Sequence, residues 1–476
     1  MGSAVAIKVL DWRVDPLSVL AAWPAEAPVV LLHSGGRRRR WARWTVVARP
    51  AGWFVWDGRS RLTGEIGPAA GCRVTHDPLR DLDAVLSDSA GARGASRIPA
   101  PPFAGGWIGV LAYELGAVIE PAVGDRQHAD TGDAQPGRPL IELAWCPQAL
   151  VHDNLTGRWF SIGDGATEPA MKRGFRRVCP GPAFEVGAFS SSLDPDAYLH
   201  AIERTIGYIR AGDIFQANIT QTLSAAFTGS TRRLALQALS RTPAWYGAYL
   251  ELPGGRRIVS MSPELFLDVR PDRRITTRPI KGTRPASTDA AELRDSEKDA
   301  AELHMIIDLM RNDLGRVCEY GSMAVPTARR IETYGTVHHG VGEVTGRLRE
   351  DVSPGDVLGA TFPGGSITGA PKIRAMQIIN ELEPVRRGPY CGSIGYFSRT
   401  GGACLNIGIR TICLRGRTVP GRIDLLDGRL EYGTGGGIVA DSAPLAEYRE
   451  SLDKAAALRV ALGRSALPAA RAGSSM

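Results

Sequence analysis

A glycine-rich segment that runs directly into an amphipathic helix constrains this 476-residue chain more than any other stretch. Between Thr361 and Tyr396 the sequence is TFPGGSITGAPKIRAMQIINELEPVRRGPYCGSIGY. Pro371 suits the first position of a helix, which needs no N–H donor, and apolar residues at helical spacing then predict a helix that ends before Pro384. A helix N-terminus offers free N–H groups and a positive dipole end, so this segment is suited to an anion. Taken alone, however, the pattern is explained better by an ordinary tight loop before an amphipathic helix.

The overall charge of the chain favours anionic partners but does not say of which kind. Lys and Arg number 57 against 50 Asp and Glu, a formal net charge of +7, and a basic surface attracts nucleic acids, phosphates and small carboxylates alike. The dense basic run from Arg37 to Arg40 lies between two strand-like segments, a setting typical of a solvated hairpin tip. Since no nucleic-acid-binding motif accompanies it, we expect no nucleic-acid partner, and a basic nucleic-acid-binding protein stays a remote alternative.

Neither the N-terminus nor any internal stretch predicts membrane insertion. Lys8 interrupts the first apolar residues too early for a signal-peptide core, and no apolar run approaches the roughly 18 residues that a membrane span needs. The 7 cysteines are scattered without a CxxC pair or a Cys/His cluster, so neither a zinc site nor a disulfide framework is predicted. These patterns indicate a cytoplasmic protein without a membrane partner.

Composition and periodicity divide the chain into three parts. Residues 1–185 are predicted to be β-rich, residues 190–463 to combine longer helices with strands, and residues 464–476 to form a disordered tail. The strands predicted in the N-terminal part are Val29 to His33, Trp44 to Val47, Trp53 to Trp56 and Leu140 to Trp145. The helices predicted in the second part run from Pro195 to about Gly212, from about Thr288 to Val317, and from about Pro444 to Leu462.

Two acidic pairs in the second part supply the material for a divalent cation site. Asp299 and Glu302 stand three residues apart, as do Glu447 and Glu450, and this spacing places each pair on one face of a predicted helix. Mg²⁺ takes one or two protein carboxylates and completes its shell with water and ligand oxygens. Acidic pairs on helices are more often solvated surface, so either pair alone does not establish a metal site.

Lys281 lies between Ile280 and Gly282 in an apolar, glycine-flanked stretch that predicts a tight turn. Burial disfavours the charged ammonium and lowers the pKa of a lysine, which is how a lysine becomes a nucleophile. From this stretch alone, an ordinary surface lysine is the more common outcome. The predicted strand from Phe215 to Leu223 carries polar residues at alternate positions beginning with Gln216, a pattern that fits a pocket wall and an exposed sheet face equally.

These motifs follow one another as they do in a known family of enzymes. The chain resembles the chorismate-utilising enzymes, which include anthranilate synthase component I, aminodeoxychorismate synthase component I, and the isochorismate and salicylate synthases. The resemblance implies an α/β fold in which two large, mostly antiparallel β-sheets pack as a sandwich with helices on the outside. It extends from about Asp194 to Leu462 and is looser in the N-terminal half. The segments that carry it are Gly212 to Gln216, Pro279 to Thr283, Ala301 to Glu302, Asp308 to Asp313, Val337 to His339, Thr361 to Tyr396, Ile409 to Thr411 and Gly435 to Lys454.

Two positions select the reaction within the family, and here they favour amination. Members that add water have a lysine base at the position of Gln216, so the resemblance argues against isochorismate and salicylate chemistry. Lys281 stands in the sequence PIKGT, which resembles aminodeoxychorismate synthase, whereas anthranilate synthases resemble PIAGT. The resemblance implies that Lys281 displaces the 4-hydroxyl of chorismate and that ammonia then displaces the lysine, giving 4-amino-4-deoxychorismate. Anthranilate synthase component I, which forms anthranilate and pyruvate from chorismate, is the alternative.

The resemblance also assigns roles to individual residues. Glu302 and Glu450 match Mg²⁺ ligands, and this metal would hold the ring carboxylate as a Lewis acid. Asp299 and Glu447 match partners beside those ligands, although the family more often has Glu at the position of Asp299. The expected catalytic residues are Lys281, His339 and Glu302, and the expected substrate-binding residues are Gln216, Ser366, Gly369, Ala370, Lys372, Tyr390, Arg410, Gly435, Gly436 and Gly437.

The partners implied by the resemblance are a second subunit and two small molecules. No cysteine of the chain has the setting of a glutaminase nucleophile, so ammonia is expected from a separate glutamine amidotransferase subunit or from free ammonium. The small molecules are the substrate chorismate and a possible tryptophan, since Leu31 to Gly35 resembles the family in the N-terminal region. The expected reaction is an amination of the transaminase class that serves 4-aminobenzoate and folate synthesis.

Overall fold

The structure is a computed structural model that describes residues 5–35, 40–65, 75–88, 101–124, 138–163, 183–334 and 337–463. The tail predicted at residues 464–476 and most of the basic run at residues 37–40 lie outside the described residues. The two segments that flank this run, Val30–His33 and Trp44–Ala48, pair as antiparallel strands. The strands of the predicted hairpin are therefore confirmed, while its tip stays a prediction.

Short runs of β-branched and aromatic residues, bounded by Gly, Pro and Asp, form the strands of the described ranges. In chain order they are β1 (Ile7–Leu10), β2 (Val30–His33), β3 (Trp44–Ala48), β4 (Gly52–Trp56), β5 (Ser60–Gly64), β6 (Gly106–Leu111), β7 (Ile141–Cys146), β8 (Ala149–Asp153), β9 (Arg158–Ile162), β10 (Phe184–Val186), β11 (Ser190–Ser191), β12 (Gln216–Ser230), β13 (Tyr246–Leu252), β14 (Arg256–Ser262), β15 (Leu265–Val269), β16 (Arg274–Arg278), β17 (Ile280–Pro285), β18 (Ala324–Tyr334), β19 (Val337–Arg347), β20 (Gly369–Ala370), β21 (Ser393–Ser398), β22 (Ala403–Asn406), β23 (Thr411–Val419) and β24 (Arg422–Ile438).

These strands form two large sheets. The 13-stranded sheet follows the order β1-β9-β8-β3-β2-β13-β14-β23-β24-β12-β10, and β11 and β20 also pair with β12. The 11-stranded sheet follows the order β17-β19-β16-β15-β22-β21-β6-β7-β4-β5, and β18 pairs with β19. The longest pairing joins β12 to β24 in antiparallel register, from Ala217 with Ile438 to Ser230 with Leu425.

Helices connect the strands and pack against the sheets. Several of them begin at capping residues; for example, the Asp194 side chain accepts a hydrogen bond from the N–H of Ala197 at the start of the helix predicted there. In chain order the helices are α1 (Pro16–Ala21), α2 (Pro78–Asp88), α3 (Leu115–Ile119), α4 (Pro195–Arg210), α5 (Thr231–Arg241), α6 (Ala290–Arg294), α7 (Glu297–Gly315), α8 (Pro354–Thr361), α9 (Lys372–Leu382), α10 (Pro444–Lys454) and α11 (Ala456–Leu462).

Apolar side chains from both sheets meet in a buried layer between them. Val46 and Leu250 of the first sheet share one buried cluster with Ile108 and Ile394 of the second. A larger cluster joins strands to helices through residues such as Ile306 of α7. Because the sheets cover each other on one side and helices cover them elsewhere, the predicted α/β sandwich with outer helices is confirmed.

The N-terminal strands lie where their sequences predict them. The observed bounds of β2, β3, β4 and β7 each differ from the predicted ones by one residue. These strands enter both sheets, since β2 and β3 belong to the first and β4 and β7 to the second. The predicted domain boundary near residue 185 stays a prediction.

Two of the predicted long helices are interrupted. In place of one helix from Thr288 to Val317 the chain forms α6 and α7. Ser296 separates them, because its hydroxyl accepts a hydrogen bond from the N–H of Asp299 at 3.2 Å and so begins a new helix. The helix predicted from Pro444 to Leu462 likewise divides at Ala455 into α10 and α11.

Two local predictions about the chain around the candidate residues are wrong. Lys281 lies in strand β17 rather than in a turn. Gly282 has a φ of 76°, and β17 shifts its register against β19 between Lys281 and Thr283. A glycine with positive φ at such a shift is typical of a β-bulge, which accounts for the turn-like sequence. Pro371 precedes its helix as the N-cap, and the helix itself begins at Lys372.

The described residues include no helix that is both long enough and apolar enough to cross a membrane. Their cysteines carry free thiols, and Cys72 and Cys179 lie outside the described ranges. The free thiols agree with the scattered cysteine spacing, which predicts no disulfide framework.

Candidate active site

The glycine-rich segments meet at the first residues of β12. Gln216 pairs with Ala370 of β20, and two residues further Asn218 pairs with Gly437 of β24. The segment from Gly435 to Gly437 and the loop before α9 therefore flank one strand end. Glycines at these places let the chain approach β12 closely, because a Cβ atom at Gly369, Gly435 or Gly437 would overlap atoms of that strand.

Lys281 and Gln216 converge above Gly437, where a side chain at that residue would otherwise lie. A Cβ atom at Gly437 would overlap the side-chain amide of Gln216 and lie 3.2 Å from Nζ of Lys281. Gln216 is 1% exposed, and its Oε1 has no hydrogen-bond partner among the described residues. A buried acceptor without a donor is a position that a ligand can satisfy.

Burial changes the proton affinity of Lys281 in the direction that a nucleophile needs. The side chain is 11% exposed, and its Nζ lies 4.0 Å from Oε2 of Glu302. Burial lowers the pKa of Lys281, while the charge of Glu302 opposes this effect. A lysine whose pKa is lowered is uncharged more of the time and can attack carbon.

The second acidic pair approaches the same region from α10. Nζ of Lys298 lies 3.8 Å from Oε1 of Glu447, and Nζ of Lys454 lies 2.9 Å from Oε1 of Glu450. A Cβ atom at Gly436 would lie 3.4 Å from Nζ of Lys454 and 3.5 Å from Oε2 of Glu447. The carboxylates of α10 therefore lie above the glycine next to Gly437, and lysines balance their charge.

The carboxylates fit a magnesium ion that keeps much of its water. Burial raises the pKa of Glu302. The positive charges of Lys281 and Lys298 lower this pKa, and the negative charges of Asp299 and Glu447 raise it further. Carboxylates that repel one another in this way gain from a shared divalent cation. Within the described residues no three candidate ligands are grouped closely enough to hold a metal by themselves. Mg²⁺ suits such a site because it accepts one or two carboxylates and completes its shell with water and substrate oxygens.

Asp299 has a partner of its own. Its Oδ2 accepts a hydrogen bond from Nη2 of Arg284 at 2.9 Å. Glu447 is held from the other side, because Oγ of Ser442 donates to its Oε1 at 2.7 Å. The structure thus brings Glu302, Glu447 and Asp299 into one charged neighbourhood, and their roles as metal ligands stay predictions.

Arg410 offers a cation to an anionic ligand. Its φ is 51°, a left-handed conformation that costs a side-chained residue about 1–2 kcal/mol. Its guanidinium makes no hydrogen bond or ion pair with any residue of the described ranges, and burial lowers the pKa of this group. Tyr390 is 7% exposed, and its ring occupies the place of a side chain at Gly433. A guanidinium without a counter-ion suits bidentate recognition of a carboxylate.

Glu264 is a pocket residue that the sequence analysis missed. It is 4% exposed, and burial raises its pKa to about 7, against the opposing effects of a hydrogen bond from Ser366 and the charges of Lys281 and Arg410. A carboxyl group with a pKa near neutrality can give and take a proton during a reaction. The available signal was one carboxylate within the otherwise apolar run from Met261 to Leu267.

Lys454 is a second residue that the sequence analysis did not assign. Its Nζ donates a hydrogen bond to the carbonyl oxygen of Gly435 at 3.1 Å and contacts Glu450. The (i, i+4) spacing of Glu450 and Lys454 predicts an ion pair on a helix. Gly435 lies on β24, outside the helix of Lys454, so no sequence spacing predicts the contact between these two residues.

His339 lies beside Lys281 as a neutral imidazole. It is 1% exposed, and its Nδ1 lies 2.8 Å from Oγ1 of Thr283. Burial, with the charge of Arg410 adding to it, lowers the pKa of His339 to about 3. Its neighbour Gly340 pairs with Lys281 across the bulge, so the histidine is close to the proposed nucleophile and uncharged near neutral pH.

The predicted substrate contact of Lys372 is occupied by protein groups, and the main chain of Ala370 is held through its carbonyl oxygen. Nζ of Lys372 donates to Oδ2 of Asp313 at 2.5 Å and to the carbonyl oxygen of Thr361 at 2.9 Å. The carbonyl oxygen of Ala370 accepts a hydrogen bond from the N–H of Phe215 at 2.7 Å. The roles predicted for Lys372 and Ala370 in carboxylate binding stay predictions.

These features define an enzyme pocket for a small acidic substrate. It combines a buried lysine, a group of carboxylates and a guanidinium without an ion-pair partner, all close to a series of glycines. Comparison with known proteins identifies the family: the chain belongs to the chorismate-binding enzymes, whose family profile matches residues 52–460.

Relatives within this family carry two different names. Aminodeoxychorismate synthase component 1 of Escherichia coli strain K12 is 36% identical over 94% of this chain and 96% of its own length. Anthranilate synthase component 1 of Thermus thermophilus is 37% identical over 93% of this chain and 94% of its own length. Among solved structures, anthranilate synthase component I from Streptococcus pneumoniae TIGR4 matches with a TM-score of 0.71 and 29% identity, over 90% of this chain and 94% of that one.

Proposed function

We propose that this protein aminates chorismate to 4-amino-4-deoxychorismate with Mg²⁺ and ammonia. The position of Lys281 supports this reaction over its family alternatives, because burial lowers the pKa of this lysine and its Nζ lies 3.2 Å from the place that a Cβ atom at Gly437 would take. Gln216 stands beside it where a hydrating member of the family has a lysine base. The similarity to relatives named aminodeoxychorismate synthase agrees with this reaction.

Opposite charges at the two ends of the pocket suit the two carboxylates of chorismate. Arg410, which has no counter-ion in the described ranges, pairs with the enolpyruvyl carboxylate beside the ring of Tyr390. Glu302 and Glu450 would hold Mg²⁺ at the other end, where the bound metal would supply a Lewis acid for the ring carboxylate. The substrate ring then lies over Gly437, within reach of Lys281.

Lys281 and Glu264 carry the chemical steps. Uncharged Lys281 forms a C–N bond to the ring, the ring double bonds shift, and the C–O bond to the 4-hydroxyl breaks. Glu264, whose pKa is about 7, gives the proton with which this hydroxyl leaves as water. Ammonia then forms the C–N bond at the carbon that lost the hydroxyl and displaces Lys281 as a free amine. The proton that ammonia loses returns to Glu264, so that chorismate and ammonia yield the product and water.

A partner subunit is the proposed source of ammonia. The name component 1, carried by relatives such as the Escherichia coli protein, supports a second component, and we assign it to a glutamine amidotransferase. In this assignment the reaction is an amination of the transaminase class in the cytoplasm, and its product serves 4-aminobenzoate and folate synthesis. The purified chain should then aminate chorismate with ammonium and not with glutamine.

The N-terminal region keeps room for the proposed tryptophan ligand. A cavity of about 950 Å³ lies where the N-terminal residues Trp41, Arg43 and Trp44 meet Asp268 and Tyr396 of the second part of the chain. Aromatic walls suit an indole ring, and groups of both charges suit the zwitterionic end of an amino acid. Burial raises the pKa of Asp268 to about 6.

Anthranilate synthesis is the second candidate. It is favoured by relatives of that name that match the chain at similar identity, such as the one from Thermus thermophilus. The two reactions differ in their products, since anthranilate formation releases pyruvate and leaves nitrogen next to the ring carboxylate.

One experiment separates the two reactions and tests the nucleophile. The purified protein is incubated with chorismate, Mg²⁺ and ammonium, and the products are identified by mass spectrometry. We expect 4-amino-4-deoxychorismate from the wild type, loss of most amination in Lys281→Ala, and a covalent adduct on the peptide with Lys281 when ammonia is omitted. Lys281→Arg, which keeps the charge, should be as inactive as the alanine variant. Wild-type rates in Lys281→Ala would exclude the covalent mechanism, and anthranilate with pyruvate would move the protein to the second candidate.

A further inference from the structure

A smaller cavity of about 250 Å³ lies beside β12 and β24, away from the residues assigned above. Thr222 and Ser224 of β12 line it, opposite Gly433 and Glu431 of β24. Since side chains alternate along a strand, Glu431 lies on the same face as Gly433, which carries the ring of Tyr390. The cavity is therefore a neighbour of the chorismate pocket, one side-chain position along the strand.

Guanidinium groups outnumber the carboxylate at this cavity. The carboxylate of Glu431 lies 3.5 Å from Arg138, 3.3 Å from Arg415 and 3.6 Å from Arg429. A fourth, Arg386, lines the cavity and makes no side-chain hydrogen bond or ion pair with any residue of the described ranges. Three of these guanidinium groups, from Arg138, Arg386 and Arg429, line the cavity with the one carboxylate, which leaves an excess of two positive charges among its described lining residues.

One buried donor at this cavity also lacks a hydrogen-bond acceptor. Nε of Arg429 is buried and has no hydrogen-bond partner in the described part of the chain, although Nη2 of the same side chain donates to Oγ of Ser224 at 2.6 Å. Hydroxyl groups of Ser190, Ser191, Ser192 and Thr222 complete the lining. A buried N–H without an acceptor costs free energy that a bound oxyanion would recover.

We propose that this cavity binds a small dianion with oxyanion groups, of the size of inorganic phosphate or a short dicarboxylate. Planar guanidinium groups hold phosphate and carboxylate oxygens through paired, charge-assisted hydrogen bonds. Hydroxyl groups supply further donors, and the excess positive charge lies where protein partly excludes water and a counter-ion is worth most. Arg386 belongs to the segment that leads to Tyr390, so the dianion would contact the chain that carries one wall of the chorismate pocket.

Isothermal titration with inorganic phosphate, at constant ionic strength in chloride, tests the site on the full chain. We expect one saturable site in the wild type and binding at least about tenfold weaker in Arg386→Gln, because a charge-assisted hydrogen bond is lost. Arg386 has no ion-pair partner to lose, so this variant should fold, and an unchanged melting temperature without phosphate checks that it does. Arg429→Gln should weaken binding similarly. Malonate should compete if the site accepts dicarboxylates as well as phosphate.

Two control variants decide where phosphate binds. Arg417→Gln removes a side chain that is 91% exposed on β23, and Arg410→Gln removes the free cation of the chorismate pocket. Both should bind phosphate as the wild type does. Loss of binding in Arg410→Gln would assign the phosphate to the chorismate pocket, and equal weakening in Arg417→Gln would assign it to general surface charge. Either result, or no saturable binding in the wild type, would overturn the proposal.

Discussion

The variant Gly437→Ala tests the shape of the pocket without changing any of its charges. A methyl group at this residue would overlap the side-chain amide of Gln216 and lie 3.3 Å from its Cδ and 3.2 Å from Nζ of Lys281. Ordinary van der Waals contacts of a Cβ begin at about 3.4 Å, so the amide must retreat by about an ångström. The fully buried Gln216 has little room to do so, and Lys281 lies on the other side of the same space.

The expected cost falls on activity far more than on stability. Overpacking by one methyl group costs typically about 1–3 kcal/mol, which lowers the melting temperature of a chain of this size by only a few degrees, at about 2–4 °C per kcal/mol. Displacing a substrate-positioning group such as the Gln216 amide by about 1 Å costs on the order of a hundredfold in rate. We therefore expect Gly437→Ala to fold and to aminate chorismate about a hundred times more slowly than the wild type.

The assay combines the initial rate of 4-amino-4-deoxychorismate formation with thermal unfolding. Gly436→Ala is the matched control within the triplet, because its Cβ would lie 3.4 Å from Nζ of Lys454 and 3.5 Å from Oε2 of Glu447, which are ordinary contacts. Gly207→Ala controls for the replacement of a glycine by alanine as such, since Gly207 lies within α4 and nothing lies within 4 Å of its Cβ. If Gly437→Ala kept the rate of Gly207→Ala at the same melting temperature, the assignment of Gly437 to the pocket floor would be refuted.

Three further predictions test the charges and the partner. Glu302→Gln should weaken Mg²⁺ binding, measured by calorimetry. Lys298→Met should tighten Mg²⁺ binding about fivefold, since the exposed charge of Lys298, about 4 Å from Glu447, opposes the cation by about 1 kcal/mol. Affinities equal to that of the wild type would remove both residues from the metal site. Because burial raises the pKa of Glu264 to about 7, the stability that its proton provides is present at low pH and lost as pH rises through 7. Glu264→Gln should therefore exceed the wild type in stability by on the order of 3 kcal/mol at pH 8 and match it near pH 4, and parallel stability curves would contradict the buried carboxyl. Finally, the purified chain should use ammonium and not glutamine, and glutamine-dependent product from the single chain would rule out a separate amidotransferase.

The parts of the fold that the sequence predicted are those with a local signal. The strands from Val29 to His33 and from Trp53 to Trp56 are short apolar runs between turn formers, and α4 begins at an Asp-Pro cap. The prediction of one continuous helix from Thr288 is wrong because Ser296 caps a new helix. The sequence does not show whether a serine within an amphipathic pattern lies inside a helix or caps one. Lys281 was placed in a turn because a glycine in a β-bulge and a glycine in a turn have the same sequence signature.

Many residues of the candidate site could be predicted from the sequence, but the contacts between them could not. Resemblance to a family identified Lys281, Glu302 and Arg410, each in a recognisable motif. Glu264 was missed because its importance arises from burial between Lys281 and Arg410, and burial depends on which strands become neighbours. The partners of Lys372 show the converse, since Asp313 and the carbonyl of Thr361 reach it only in the folded chain.

The mutual influence of Lys281 and Glu302 makes the metal variants interpretable. Burial lowers the pKa of Lys281 and raises that of Glu302, while the attraction between the two groups opposes both shifts. Glu302→Gln removes this attraction, so Lys281 should lose its proton more easily and become a better nucleophile. If the variant is nevertheless slow, the loss cannot come from a more strongly protonated lysine, and it must come from the carboxylate that the metal and the substrate ring need. A faster variant would show that Glu302 restrains the lysine more than it serves the metal.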